Sequence, residues 1–168
     1  MCGVGGAENI KDLVTETFGM LCLFAYAFLL RMPSEALPAK VGGSGKCVVT
    51  VEGEFLVVTL ARRKNKEVQS RIERGCWCRE CKETCPMHVL APFFMSFPEG
   101  AQVFGEFTAP IALRTLRKVM SILQVPRAAE YKTHDFRRGH AKDLQESGRF
   151  CVHAKKPVAQ FSFFVCVS

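Results

Sequence analysis

The sequence predicts an α+β domain, mainly helical, with a small antiparallel β-sheet or hairpin. Three observations predict it. Apolar residues recur at helical spacing over residues 9–31, 109–123 and 133–148. Two β-rich runs, residues 46–51 and 54–60, flank a Glu52-Gly53 turn. The 168 residues, 48% of them hydrophobic and 23% charged, suffice for one domain with a real core.

The first helix is apolar in its second half. Leu13, Phe18, Leu21, Cys22, Phe24, Ala25, Phe28 and Leu29 leave few polar positions, so burial on most sides is expected. The apolar stretch 18–30 is shorter than the roughly 20 residues that span a bilayer, so it reads as a core helix and no membrane is expected. Residues 1–19 lack a basic leader pattern. Pro33 stops this helix or opens another. Arg31 sits at that junction, where a charge is costly unless paired; the plainer reading is a snorkelling arginine that caps the helix C-terminus.

Val41-Gly42-Gly43-Ser44-Gly45 reads as a flexible connection. After the two β-rich runs comes Ala61-Arg62-Arg63-Lys64-Asn65-Lys66, and residues 68–72 can return as another strand. The four cations would then cap a hairpin, where they either follow a phosphate backbone or solubilise a turn.

Residues 76–88 carry five candidate zinc ligands. Cys78-x-x-Cys81 is knuckle-like and Cys85-x-x-His88 completes a tetrahedral set, with Cys76 as the alternative fourth ligand. The competing reading is reduced, partly buried cysteines. Four of the nine cysteines fall in this stretch, so they are not spaced as a secreted disulfide framework. A reducing, intracellular setting follows, nuclear if the source is eukaryotic.

Residues 91–107 hold five phenylalanines with Pro92, Pro98, Gly100 and Gly105, and read as an irregular aromatic connection with one short helix. In the next helix Ile111, Leu113, Leu116, Val119, Met120 and Leu123 face inward while Arg114, Arg117 and Lys118 face out. The last helix starts at an N-capping Thr133 and ends near Gly148. Phe136, His140 and Leu144 form its packing face. His134 and Arg137, three apart, project from neighbouring positions and suit a phosphate. The plainer reading is a solvated basic helix. A net charge of +7 favours a polyanionic partner. No P-loop, Rossmann glycine pattern or paired-carboxylate site stands out.

Three of these stretches resemble the tyrosine recombinase (phage integrase) family. Leu30-Arg31-Met32-Pro33-Ser34-Glu35-Ala36-Leu37 is similar to its first arginine box, and Arg62-Arg63-Lys64-Asn65-Lys66 to its β-hairpin lysine. His134-Asp135-Phe136-Arg137-Arg138-Gly139-His140-Ala141 is similar to its His-x-x-Arg box. The boxes fall in the family's order over residues 9–148. The Cys/His stretch at about 76–88 is an insertion relative to the family pattern. The expected division is a recombinase-like catalytic domain over 1–150 and a divergent tail over 151–168.

The resemblance implies double-stranded DNA as partner, with other recombinase subunits, and DNA integration or recombination by strand breakage and rejoining. It implies Arg31 and Arg137 as a phosphate clamp, His134 as its assistant, and Lys64 (or Lys66) as general acid. No cofactor is required for that chemistry; zinc at the Cys/His stretch would be structural. The family's nucleophile is a tyrosine downstream of the His-x-x-Arg helix. Here Tyr26 and Tyr131 both lie upstream of it; His153 falls where the family has a second histidine or tryptophan, but its flanking residues do not match. The chain is therefore expected to be inactive in strand transfer by itself. Two other readings remain, a zinc-stabilised interaction module and a decayed mobile-element fragment.

Overall fold

The computed structural model describes residues 16–61, 69–79, 82–83 and 85–146. Its architecture is α+β, with helices packed around a four-stranded sheet of order β1-β2-β3-β4.

Helix α1 spans Glu16–Ala27, and all of Leu21 to Ala27 is buried. An unbroken apolar run forces that result, because a helix with no polar face must be covered on every side. The helix ends in a left-handed turn at Leu29 (φ 56°), where Leu30 N–H returns to the Ala25 carbonyl at 2.9 Å. A one-turn π-helix, Met32–Ala36, follows with Pro33 in its first turn. Proline is tolerated there because the first N–H groups have no partner within the helix.

Strands β2 (Cys47–Glu52) and β3 (Phe55–Leu60) form the expected hairpin, paired from Cys47↔Leu60 to Glu52↔Phe55. Gly53 takes φ 58° in the turn, a conformation that suits glycine. Strand β4 (Ser70–Arg74) returns antiparallel to β3, as the run 68–72 suggested.

The sheet is mixed, which corrects the antiparallel expectation. Residues Ala39–Val41 form β1, parallel to β2 in the register Ala39↔Cys47. Parallel neighbours ordinarily need a long crossover. A three-residue strand requires a return of only about 7 Å at ~3.3 Å per residue. The glycine loop makes that return with Gly42 and Gly43 both in the left-handed region (φ 60° and 65°). The outer edge of β1 is covered by a later segment. Val41 N–H bonds the Ala101 carbonyl at 3.1 Å, and Val103 N–H bonds the Ala39 carbonyl at 3.1 Å.

The phenylalanine-rich segment is more regular than expected. A second one-turn π-helix, Pro86–Leu90, runs into α2, Ala91–Met95. Phe24, Phe94 and Phe104 meet edge-on or tilted with ring centroids 4.9–5.9 Å apart. Each such pair contributes about 0.5–1.5 kcal/mol beyond area burial.

Helix α3 (Ala109–Ile122) is capped by the Thr108 hydroxyl, which accepts from Ile111 N–H. Leu116 and Val119 are buried as expected, but Ile111 is 41% exposed. It sits in the first turn, and the small Ala112 fills the core position there instead.

Helix α4 spans Asp135–Glu146 and packs against α1. It starts two residues later than Thr133, which is buried. The Asp135 carboxylate accepts from Lys132 N–H at 2.7 Å and secures the helix entrance. Phe136 joins the same core as α1. The side chains of His140 and Leu144, like Gly148, lie outside what is described.

Candidate functional site

Two sets of side chains are candidates for chemistry. The first is a Cys/His cluster between β4 and α2. Cys76 and Cys78 flank Trp77, which packs on the core. The Trp77 N–H donates to Cys85 Sγ at 3.4 Å and the Cys78 N–H to Cys76 Sγ at 3.5 Å, so the backbone of this loop also faces the cluster. Cys85 precedes the turn Pro86–Leu90, and His88 lies three residues on, where a helical turn returns to the same face.

The ligand atoms converge. His88 Nδ1 lies 3.5 Å from Cys76 Sγ, 3.1 Å from Cys78 Sγ and 3.3 Å from Cys85 Sγ. Cys76 Sγ and Cys85 Sγ are 3.8 Å apart. All four atoms lie within 4.8 Å of one another, a cluster able to hold a metal ion. Cys78, Cys85 and His88 of the predicted ligand set are brought together, and Cys76, the alternative, completes the group. Cys81 lies outside the described residues.

The electrostatics suit a cation. Burial alone would raise the Cys85 thiol. Hydrogen bonding to His88, to the Trp77 and His88 backbone N–H groups and to Cys78 outweighs it and lowers Cys85 to about 6. Cys78 goes the other way, pushed up to about 12 by desolvation and by hydrogen bonds and charge from Cys85 and Cys76. One thiolate is favoured and a neighbouring second one is opposed. A divalent cation among the sulfurs reverses that opposition.

The second group is basic. Arg31 lies half-buried between the fully buried Leu30 and Met32, at the entrance of the first π-turn. Its backbone N–H donates to Glu35 Oε2 at 2.8 Å, and Glu35 is itself buried. His134 is exposed at the start of α4 and Arg137 is half-buried one turn on. Arg138, fully on the surface, faces Asp135 at 3.8 Å. Such exposed pairs contribute little. Lys64 and Lys66, in the connection between β3 and β4, lie outside the described residues, as does His153.

Tyr26 is 7% exposed within α1, a core residue. Tyr131 is half-buried, and its carbonyl accepts from Arg117 Nε at 3.0 Å. Among the described residues, no helix is long and apolar enough to cross a membrane. No protein-family model, no curated protein and no solved structure matches the chain.

Spacing alone pointed to Cys78-x-x-Cys81. The signal favouring Cys76 is the Cys-Trp-Cys pattern, in which an apolar Trp77 packed on the core separates two cysteines of the cluster.

Proposed function

We propose that the chain is a DNA-binding domain of tyrosine recombinase type whose Cys/His cluster holds a structural zinc ion. The observation that carries the DNA reading is the packing of α1 on α4 around a shared core that includes Phe136. Arg31 leaves the end of α1, and His134 and Arg137 open α4. One helix pair therefore supports both arginine-bearing segments, and the hairpin with the basic connection lies between them in sequence. Guanidinium groups suit the non-bridging oxygens of a phosphodiester, which accept two parallel N–H bonds.

Zinc is favoured by ligand type and by distance. With zinc–sulfur near 2.3 Å and zinc–nitrogen near 2.0–2.1 Å, tetrahedral edges are about 3.75 Å for sulfur–sulfur and ~3.55 Å for sulfur–nitrogen. The 3.8 Å Cys76–Cys85 separation and the 3.1–3.5 Å sulfur–nitrogen distances approach these values. Three thiolates and an imidazole form a closed set, so the role is structural. Bound zinc would join the end of β4 to the start of the Pro86–Leu90 turn.

The reading stops at binding. Tyr26 is packed in the core and Tyr131 precedes the His-x-x-Arg helix, so neither is placed in the role of nucleophile. A phosphate clamp without a nucleophile holds DNA and forms no covalent intermediate. The test is duplex DNA binding by the zinc-loaded protein across salt concentrations, with Arg31→Ala and Arg137→Ala alongside.

The cluster also favours a second reading, a zinc-stabilised interaction module with an incidental basic surface. That module would unfold when zinc is removed, yet Arg31→Ala and Arg137→Ala would leave its DNA binding unchanged.

A further inference from the structure

Two half-buried arginines each grip a backbone carbonyl just upstream of a proposed phosphate ligand. Arg74, the last residue of β4, donates from Nε to the Ala27 carbonyl at 2.9 Å. Its guanidinium carbon also lies 5.8 Å from the centre of the buried Phe28 ring. Ala27 is the last residue of α1, so this bond satisfies one of the carbonyls that a helix end leaves without partners. From there the chain turns through the left-handed Leu29 and reaches Arg31 two residues later. Arg117 makes the corresponding contact on the other side. Its Nε donates to the Tyr131 carbonyl at 3.0 Å, three residues before His134.

Each of the two is half-buried and bonds a backbone carbonyl through Nε, whereas Arg114, Lys118, Arg127, Lys132 and Arg138 are exposed. Arg74 also links the two groups of chemistry-bearing side chains. Only Gly75 separates it from Cys76, so the strand whose last residue bonds the end of α1 leads directly into the Cys/His cluster.

We propose that Arg74 and Arg117 are positioning residues that set the exit of α1 and the entrance of α4, and so aim Arg31 and His134. This rests on the reading of Arg31, His134 and Arg137 as phosphate ligands. The competing role for any arginine in a basic chain is direct contact with DNA. The two roles differ in what lysine can replace. A lysine retains the charge that a phosphate needs but lacks the Nε–H and planar fork that reach the Ala27 carbonyl over Phe28.

The test uses the zinc-loaded full chain carrying Arg74→Met, Arg74→Lys, Arg31→Ala and the double variant Arg31→Ala/Arg74→Met. Duplex DNA affinity and amide hydrogen exchange at Leu30 and Arg31 are both read. Arg74→Met is expected to weaken DNA binding on the order of tenfold, with no further loss on the Arg31→Ala background, because coupled residues are non-additive. Arg74→Lys should not rescue binding, and exchange at Leu30 and Arg31 should accelerate in both Arg74 variants. Additive losses, rescue by lysine, or unchanged exchange would each overturn the proposal. If Arg74→Met does not fold, Arg117→Met and Arg117→Lys, alone and on the His134→Ala background, with exchange read at Lys132, decide by the same criteria. A wild-type chain that binds no DNA would overturn the phosphate-ligand reading itself. Unchanged exchange with DNA binding intact would overturn the positioning role alone.

Discussion

His88 Nδ1 lies 3.1 Å from Cys78 Sγ, although ten residues separate them in sequence. Cys76 and Cys85 close the same group at 3.8 Å. Three thiols and an imidazole thus meet at one point on a partly exposed loop, a cluster able to hold a metal ion.

The purified protein is therefore expected to carry one zinc ion per chain. Cobalt substituted for it should show the intense visible bands of tetrahedral thiolate coordination. Cys85→Ser and His88→Ala should abolish them, Cys76→Ser should weaken or remove them, and Cys81→Ser should leave them in place. Bands lost only in the Cys81 variant would move the fourth ligand back to the knuckle-like pair. Stripping the metal should lower stability by several kcal/mol, since binding free energy at a structural site is folding free energy.

Metal binding should also release protons with a definite pH dependence. Cys85, lowered to about 6, is already a thiolate at neutral pH, so it contributes to the pH dependence only below about pH 6. Cys78, pushed up to about 12, is still protonated at neutral pH and must lose its proton to bind. Zinc affinity should accordingly keep rising between pH 6.5 and 8, by about one decade per pH unit from Cys78 alone. Calorimetric titrations in buffers of different ionisation heat would count the protons. Affinity that is flat with pH over that range would contradict the entry of a protonated Cys78 thiol into the site.

Much of this architecture is legible in the chain. The β2–β3 hairpin follows from two runs rich in β-formers around Glu52-Gly53, and the buried α1 follows from a run with no polar face. Strand β1 is not legible, because three residues between Pro38 and Gly42 carry no periodicity. It exists through pairing with β2 and with residues 101–103 far along the chain. Ile111 misled for a related reason: helical spacing gives a face but not where the core ends along the axis. The Cys/His stretch is legible as a candidate metal site by composition, whereas the place of Cys76 in the cluster depends on how the chain folds back to Cys85 and His88.

Core substitutions should follow these placements. Phe24 is fully buried and its ring meets Phe28, Phe94 and Phe104. Phe24→Ala should cost about 3–5 kcal/mol in urea unfolding. Ile111→Ala, at the exposed first turn of α3, should stay within about 0.5 kcal/mol. Equal effects at the two positions would contradict the described core.

Incubation with a nicked suicide DNA substrate should yield no covalent protein–DNA adduct on denaturing electrophoresis. A shifted, protease-sensitive band from the isolated chain would show that it does hold a nucleophile. Tyr131→Phe and Tyr26→Phe would then be the first variants to examine.

The most direct measurement is fluorescence anisotropy of a labelled duplex titrated with the zinc-loaded protein over a range of salt concentrations. Affinity should fall steeply with salt, with a log–log slope of about −0.9 for each phosphate neutralised. Arg31→Ala and Arg137→Ala should each weaken binding and reduce that slope by about one. Binding that is absent at low salt, independent of salt, or unchanged in both arginine variants would contradict the account.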